Sequence, residues 1–301
     1  MIIDVIKGWR GSEMIPKSSF GRTGHRSSRV IFGAWALCQA SQVEADQVLD
    51  LLLEYGVNHI DVAPMYGNAE KCIGPWMEHH RGEFFLATKT RKRQYKAAWD
   101  DLQHSLDTLR VDHIDLWQLH ALTNPVGLER TLGEGGALQA LIEAREKGYV
   151  RFLGVTGHGN HVPEMHQKSL ERFDFDSVML PYNFCQMQNR HYADTFASLV
   201  ATCRQRNVAI QTILSIARAP WGSGPKTYNT FFYHPLDTQP AIDMSMHWAL
   251  ALPGSFVVSA GDMQLLPMVL SAAARFQACP SDDAMSALVE EYGMRRVFPG
   301  W

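Results

Sequence analysis

The stretch VNHIDVAPMYG, residues 57–67, has the pattern of a short buried strand that ends in a turn. Its apolar positions are bounded by glycine and proline, which favour turns. A strand buried on both faces has no structural need for a carboxylate at its end, yet Asp61 stands there and Tyr66 follows it. A carboxylate and a phenol at a strand mouth indicate a proton-transfer site. The structural alternative is that Asp61 caps the next helix and Tyr66 packs on a loop.

Two later apolar stretches also end in a single polar residue. FFLATK ends in Lys89, and IDLWQLH ends in His120. In a parallel barrel the carboxyl ends of the strands meet at one mouth. We therefore predict that Asp61, Lys89 and His120 converge, with Tyr66 on the loop beyond the first of these strands.

Three motifs resemble the signatures of the aldo-keto reductase family. DVAPMYG, ATKT and LWQLH occur in the family's order and with suitable spacing, and the resemblance extends from about residue 20 to about residue 275. It implies a (β/α)8 TIM barrel that transfers hydride between a nicotinamide cofactor and a small carbonyl, alcohol or sugar substrate. It also implies a catalytic tetrad, namely Asp61, Tyr66, Lys89 and His120.

Strand-like and helix-like segments alternate along most of the chain. After a hairpin turn at 20–24 and a first strand near 27–31, strands are predicted at 57–61, 84–88, 114–119, 150–156, 177–180, 208–214 and 255–258. Helices are predicted at 43–55, 69–80, 95–109, 136–147, 162–171, 190–205, 239–251 and 262–276, with one more helix-like run at 284–292. Eight strand-helix pairs predict an α/β fold with a parallel sheet. The resemblance favours closure of that sheet into a barrel.

The length and composition allow one large core. The chain has 301 residues, of which 46% are hydrophobic, and this fits one barrel of ~250 residues with extensions as well as two smaller domains. The resemblance favours a single domain over residues 1–301, with the barrel at about 20–276 and a C-terminal tail at about 277–301. Residues 1–19 are weakly patterned, and we expect them to lie on the barrel as an extension.

Charge and cysteine usage limit the classes of partner and the location. A net charge of −3 without a basic face argues against nucleic acid as a principal partner. No apolar run reaches the ~18 residues of a membrane helix, and the first residues lack the pattern of a secretory signal. The five scattered cysteines include no CxxC pair, which favours reduced thiols in the cytoplasm. The oligomeric state stays open.

The residue types of the tetrad suit carbonyl reduction. A side chain cannot supply hydride, so a nicotinamide has to be bound. A tyrosine donates the proton readily if a nearby ammonium lowers its pKa from ~10. The resemblance gives Tyr66 this role, with Lys89 lowering its pKa, Asp61 orienting Lys89 and His120 polarising the carbonyl. The alternative is that His120 donates the proton. At a solvent-lined mouth, we expect substitutions of these residues to change stability little.

The cofactor positions are taken from the resemblance and from glycines that permit close approach. They are Gly33, Ala34, Asp61, Thr156, Gly157, Met179, Leu214, Arg218, Ser259, Gly261 and Asp262. The substrate pocket is predicted from Trp35, Tyr66 and His120. Gly157 and Met179 stand where the family usually has amide side chains for the cofactor's carboxamide, and Asn160 or His158 are candidates to replace them.

We predict that the cofactor is NADP(H), with NAD(H) as the alternative. Members that bind NADP usually have a lysine or arginine near the position of Asp262, and this acidic residue favours NAD by analogy with dinucleotide folds. Arg218 is a candidate to meet a phosphate. His158 with His161, and His79 with His80, lack a third ligand at useful spacing, so no metal is predicted.

The sequence also allows two other functions. The weakened carboxamide contacts allow a slow or non-catalytic nicotinamide-binding regulatory protein on the same barrel. A lyase or isomerase that uses Lys89 to form a Schiff base is the second alternative.

Overall fold

An antiparallel hairpin closes the end of the barrel at which the strands begin. The computed structural model describes residues 14–299, and the hairpin consists of β1 (Lys17–Ser19) and β2 (Arg26–Ser28). Phe20 in its turn is fully buried, with its ring centroid 4.9 Å from that of Phe256. The predicted hairpin is therefore present. For the predicted N-terminal extension and the tail, residues 1–13 and 300–301 lie outside the described range.

Eight parallel strands form a closed barrel, which confirms the predicted fold. Each strand pairs with the next barrel strand along the chain, and the last one pairs with the first. The strands are β3 (Val30–Gly33), β4 (His59–Asp61), β5 (Phe85–Thr90), β6 (Ile114–Leu119), β7 (Val150–Thr156), β8 (Ser177–Pro181), β9 (Ala209–Ile213) and β12 (Ser255–Val258). A second hairpin, β10 (Ala217–Pro220) and β11 (Tyr233–Pro235), lies between the last two. The sequence pattern does not predict this hairpin.

Helices surround the barrel close to the predicted positions. They are α1 (Gln42–Glu54), α2 (Ala69–His80), α3 (Tyr95–Leu109), α4 (Pro125–Leu132), α5 (Ala137–Glu146), α6 (Val162–Arg172), α7 (Phe184–Met187), α8 (Arg190–Gln205), α9 (Gln239–Leu250), α10 (Leu266–Ala274) and α11 (Asp282–Tyr292). Helix α10 begins four residues later than predicted. Helix α4 was not expected, although Asn124 caps it and proline follows, which is a recognised start signal.

The alternation of side chains along the strands brings polar groups to the barrel mouth. On β5, Phe85 and Ala87 belong to an apolar cluster inside the barrel, and Lys89 is the next residue on the same face. On β6, Leu116 precedes Gln118 in the same way. The inner face therefore changes from apolar to polar toward the carboxyl ends of the strands, where barrel active sites are built.

The tail lies against the barrel. Met285 and Leu288 on α11 are buried, and the Arg218 Nε donates a hydrogen bond of 2.6 Å to the carbonyl oxygen of Tyr292. No helix among residues 14–299 is both long and apolar enough to span a membrane.

Candidate active site

Lys89 is the centre of a buried polar cluster at the barrel mouth. Its Nζ lies 2.6 Å from the Asp61 Oδ2, 3.0 Å from the Tyr66 Oη and 3.1 Å from the carbonyl oxygen of Val62. The side chains of Lys89 and Asp61 are only 1% and 3% exposed. The predicted convergence of these residues is present, but the ion pair is not at a solvent-lined position. The expectation that substitutions here change stability little assumed such a position, and the burial of Lys89 predicts a larger effect instead.

A glutamine on the neighbouring strand completes the support of Asp61. The Gln118 Nε2 donates to the Asp61 Oδ1 at 2.9 Å, and the Gln211 Nε2 donates to the Gln118 Oε1 at 2.9 Å. All three side chains are buried. Gln118 was not predicted, although its place two residues before His120 on the same strand face is a usable signal.

The loop after β4 places the phenol of Tyr66 over Lys89. The Lys89 Nζ lies 4.6 Å from the centroid of the Tyr66 ring, which is a cation–π distance. Gly67 follows with φ +56°, and a Cβ there would lie 2.2 Å from the carbonyl oxygen of Cys38. Only glycine fits both this backbone conformation and this close approach. Gly67, at the end of the motif DVAPMYG, is therefore needed to hold Tyr66 in place.

Burial controls the protonation of this cluster. It raises the pKa of Tyr66 above the usual value, although Lys89 acts against the rise. The expectation that Lys89 brings this pKa toward neutrality is wrong, and the phenol is protonated at neutral pH. Burial opposes the charge on Lys89, but Asp61 and Tyr66 outweigh it and raise the pKa of Lys89. Burial also raises the pKa of Asp61. Both carboxyl oxygens nevertheless accept hydrogen bonds, as those of a carboxylate do.

His120 follows the end of β6 with a neutral imidazole. Burial lowers its pKa well below the usual value, and the charges of Lys89 and Arg91 lower it further. Its ring centroid lies 6.2 Å from that of Tyr66, and its Nδ1 is buried without a hydrogen-bond partner in the described part of the chain. A neutral imidazole can donate one hydrogen bond. The low pKa argues against an imidazolium at this position as the proton donor.

A cavity of about 370 Å³ opens beside the tetrad. All four tetrad residues and Trp35 line it. Most of the predicted cofactor positions line the same cavity, namely Gly33, Asp61, Thr156, Gly157, Met179, Leu214, Ser259 and Gly261. The fold therefore brings the predicted proton-transfer groups and most of the predicted cofactor positions to one place.

Three predicted cofactor positions lie outside the cavity lining. Ala34 is fully buried in a short 3-10 turn. Arg218 binds the carbonyl of Tyr292, so its guanidinium connects β10 to the tail. Asp262 is also buried, and its carboxylate accepts hydrogen bonds from the backbone N–H groups of Asn229 at 2.6 Å and Gln264 at 2.8 Å. Neither side chain is directed to the cavity, because each is engaged with backbone groups elsewhere.

Of the two candidates to replace the missing carboxamide contacts, His158 lines the cavity and Asn160 does not. The Asn160 Nδ2 donates to the carbonyl of Phe298, and its Oδ1 accepts from the Gln186 Nε2. Thr156 also lines the cavity and offers a hydroxyl there. The Thr156 Oγ1 accepts a hydrogen bond of 3.3 Å from the backbone N–H of Ala121, so its own O–H can donate.

Four aromatic rings form one side of the cavity, and we call them the aromatic wall: Trp35, Phe231, Phe232 and His158. Successive ring centroids are 5.2, 4.7 and 4.5 Å apart. Two of the rings come from the loop between β10 and β11, which is fixed by a 2.7 Å hydrogen bond from the Trp35 Nε1 to the carbonyl of Asn229. The aromatic pair Phe231-Phe232 at the end of this loop is a sequence signal for such a wall.

A second cluster of titratable side chains lies outside the cavity. The ligand atoms of His161, Glu164 and His191 are within 4.8 Å of one another, and the His191 Nε2 lies 2.5 Å from the Glu164 Oε1. His161 therefore has Glu164 and His191 beside it, a grouping that the spacing of the histidines along the chain does not indicate. The contact between Glu164 and His191 connects α6 to α8.

Comparison with known proteins agrees with this geometry. Residues 29–224 match the family model described as Aldo/keto reductase family. The uncharacterized oxidoreductase YqkF of Bacillus subtilis is 26% identical over 159 residues, which are 46% of this chain and 47% of that protein. The chain therefore spans about half the length of such curated relatives.

Solved structures show the same fold over nearly the whole chain. An aldo-keto reductase from Pseudomonas aeruginosa superposes with a TM-score of 0.69 at 18% identity, covering 87% of this chain and 97% of that one. An aldo-keto reductase from Klebsiella pneumoniae, solved in complex with NADPH, gives 0.67 at 17% identity, covering 94% and 97%. At such low identity these structures support the fold alone. The family model covers well over half of the sequence, and this chain belongs to the aldo/keto reductase family.

Proposed function

We propose that this protein is a nicotinamide-dependent oxidoreductase that reduces aldehyde or ketone carbonyls, or oxidises the matching alcohols or sugars. The observation that carries the proposal is the 3.0 Å contact between the Lys89 Nζ and the Tyr66 Oη at the cavity wall. A phenol that is hydrogen bonded to a buried ammonium is suited to give up a proton and to remain as a stabilised phenolate.

Each tetrad residue has one role in the proposed reaction. Tyr66 is protonated before the reaction, because burial raises its pKa, and it donates its proton from Oη to the carbonyl oxygen. Lys89 then stabilises the phenolate, and Asp61 keeps Lys89 charged and oriented. His120, as a neutral imidazole, donates a hydrogen bond to the same carbonyl oxygen. When bound, the nicotinamide supplies the hydride.

We propose NADP(H) as the cofactor, with NAD(H) as the alternative. The cavity positions named above support nicotinamide binding beside Tyr66, and the Klebsiella relative in complex with NADPH supports the choice of NADP(H). Arg218 is bound to the tail, so it is not proposed as the phosphate contact. Titration with both reduced cofactors tests the choice. Equal dissociation constants, or tighter binding of NADH, would make NAD(H) the better assignment.

A slow or regulatory nicotinamide-binding protein is the second candidate. It is favoured by the lack of amide side chains at Gly157 and Met179 and by the engagement of Asn160 with other groups. This candidate predicts cofactor binding without substantial turnover over a panel of aldehydes, ketones and sugars, followed at the nicotinamide absorbance.

Tyr66→Phe tests the proposed acid, because it keeps the ring and removes only the hydroxyl. Loss of a general acid typically lowers the rate ~10²–10⁴-fold, and cofactor affinity should hardly change. Tyr95→Phe is a matched control, since the Tyr95 hydroxyl binds Glu143 on the outer helices. If folded, cofactor-bound Tyr66→Phe reduces its substrate within about threefold of the parent, far less than this loss predicts, Tyr66 is not the acid.

We propose the cytoplasm as the location. The five cysteines form no disulfide with one another, which agrees with a reducing compartment. Fractionation of the producing cells, with the protein followed by immunoblot, tests this assignment.

A further inference from the structure

Arg91 is an unpaired cation at the mouth of the cavity. It lies two residues after Lys89, just beyond the end of β5, and it lines the cavity with an exposed side chain. Within residues 14–299 it makes no hydrogen bond or ion pair. Arg93 differs, because its guanidinium donates to the carbonyl oxygens of His120 and Ala121. Arg93 therefore supports the loop, whereas Arg91 is free to meet a ligand.

No acidic side chain of the cavity balances this charge. Among residues 14–299, the one carboxylate in the lining is that of Asp61, and Lys89 and Gln118 already occupy its oxygens. The charge of Arg91 reaches the reacting groups, since it adds to burial in lowering the pKa of His120 and of His158. An anion bound near Arg91 would fill an unsatisfied interaction without displacing an existing partner.

The rest of the cavity suits a flat, apolar body. The aromatic wall presents ring faces and edges to the space beside Tyr66, and Phe231 is 52% exposed. Leu214 and Met65 add further apolar surface. Aromatic ligands pack well in such surroundings, because stacked and edge-on ring contacts stabilise them beyond simple burial.

We propose that Arg91 is an anion-binding subsite and that the substrates are aromatic aldehydes or ketones carrying a carboxylate. This inference rests on the proposed function. The aromatic wall holds the ring, Arg91 binds the carboxylate, and the carbonyl carbon receives hydride while its oxygen receives the Tyr66 proton. The carboxylate is not changed in the reaction, so the product is the corresponding aromatic hydroxy acid.

The test compares two substrates that differ mainly in charge. Steady-state kinetics with NADPH are measured for 4-carboxybenzaldehyde and for its neutral ester, methyl 4-formylbenzoate. The ion pair between Arg91 and the substrate carboxylate would be partly exposed to solvent. It should therefore give about a fivefold preference for the carboxylate in kcat/KM, mainly through a lower KM. Arg91→Gln should bring the ratio to about one while the ester is still reduced. Lys92→Gln removes a neighbouring exposed charge that does not line the cavity, so it should keep the preference. Higher salt should weaken the preference in the parent protein.

Several outcomes would overturn the inference and leave the proposed function intact. These are equal kcat/KM values for both aldehydes in the parent, an equal loss with both substrates in Arg91→Gln, or a higher KM for NADPH in that variant, which would assign Arg91 to the cofactor phosphates. If neither aldehyde is reduced, the choice of substrate has failed, and calorimetry with terephthalate then decides about the subsite. Binding to the parent but not to Arg91→Gln supports it, and equal binding to both proteins refutes it.

Discussion

Lys89→Met removes the ammonium group from a buried position and leaves Asp61 without its main partner. The side chains of both residues are almost fully buried, and three acceptors surround the Lys89 Nζ within 3.1 Å. Removing one member of a buried ion pair typically costs ~3–5 kcal/mol. The Asp61 carboxyl can take up a proton instead, because burial already raises its pKa. We therefore expect the free energy of unfolding to fall by about 3 kcal/mol at pH 8, the lower end of this range.

This loss should depend on pH in a defined direction. In the variant, the Asp61 pKa is higher in the folded chain than in the unfolded chain, so the folded state holds the extra proton between the two values. Stability then falls as pH rises through this window, by about 1.4 kcal/mol per pH unit. In the parent, Lys89 limits this effect on Asp61. The raised pKa of Lys89 itself contributes stability, and this contribution is lost only above the ordinary lysine value of ~10.4. The gap between variant and parent should therefore be smaller at pH 5 than at pH 8.

Thermal unfolding followed by circular dichroism at both pH values measures the effect. For 301 residues, an entropy of ~2.1 cal/mol/K per residue converts 3 kcal/mol into a fall of about 5 °C in Tm. Lys96→Met removes one member of an exposed pair with Asp100 and should lower Tm by less than about 1 °C. Adding Asp61→Asn to Lys89→Met should recover most of the loss. A variant within about 1 °C of the parent at pH 8, or a larger loss at pH 5, would refute the reasoning.

Two further outcomes follow from the site. The kcat for reduction should stay constant from about pH 6 to 8 and fall only in the alkaline range, because the high Tyr66 pKa keeps the acid protonated. An inflection near neutrality that His120→Gln removes would contradict the low His120 pKa. Gly261→Ala should cost ~1–3 kcal/mol of stability and weaken cofactor binding, since the new Cβ would lie 2.6 Å from the Trp35 ring. Gly222→Ala is its control, with open space around the added Cβ, and equal Tm values for the two variants would disprove the clash.

The sequence pattern by itself determines the alternation of strands and helices, and the family motifs add the closed barrel and the tetrad. Strand and helix periodicity is a local property, so the eight barrel strands and the helices predicted between them lie within a few residues of their expected positions. The parallel barrel then requires the strand ends that carry Asp61, Lys89 and His120 to meet. The need for glycine at position 67 can also be predicted locally, because the turn after β4 requires its φ of +56°.

Only the tertiary structure decides which charged groups are available and which are engaged. Arg218 and Tyr292 are 74 residues apart, and Asp262 binds the backbone of Asn229 at a separation of 33 residues. No local sequence pattern predicts hydrogen-bond partners at such separations. Their sequence neighbourhood suggested phosphate and ribose contacts, whereas folding directs both side chains to backbone groups.

Protonation is likewise decided by the fold. The residue types predict that Lys89 lowers the Tyr66 pKa, but desolvation by the surrounding protein has the larger effect and raises it. Desolvation depends on every segment that excludes water from a group, including segments distant in the chain. For the same reason the aromatic wall, assembled from three separate parts of the chain, could not be predicted from any one of them.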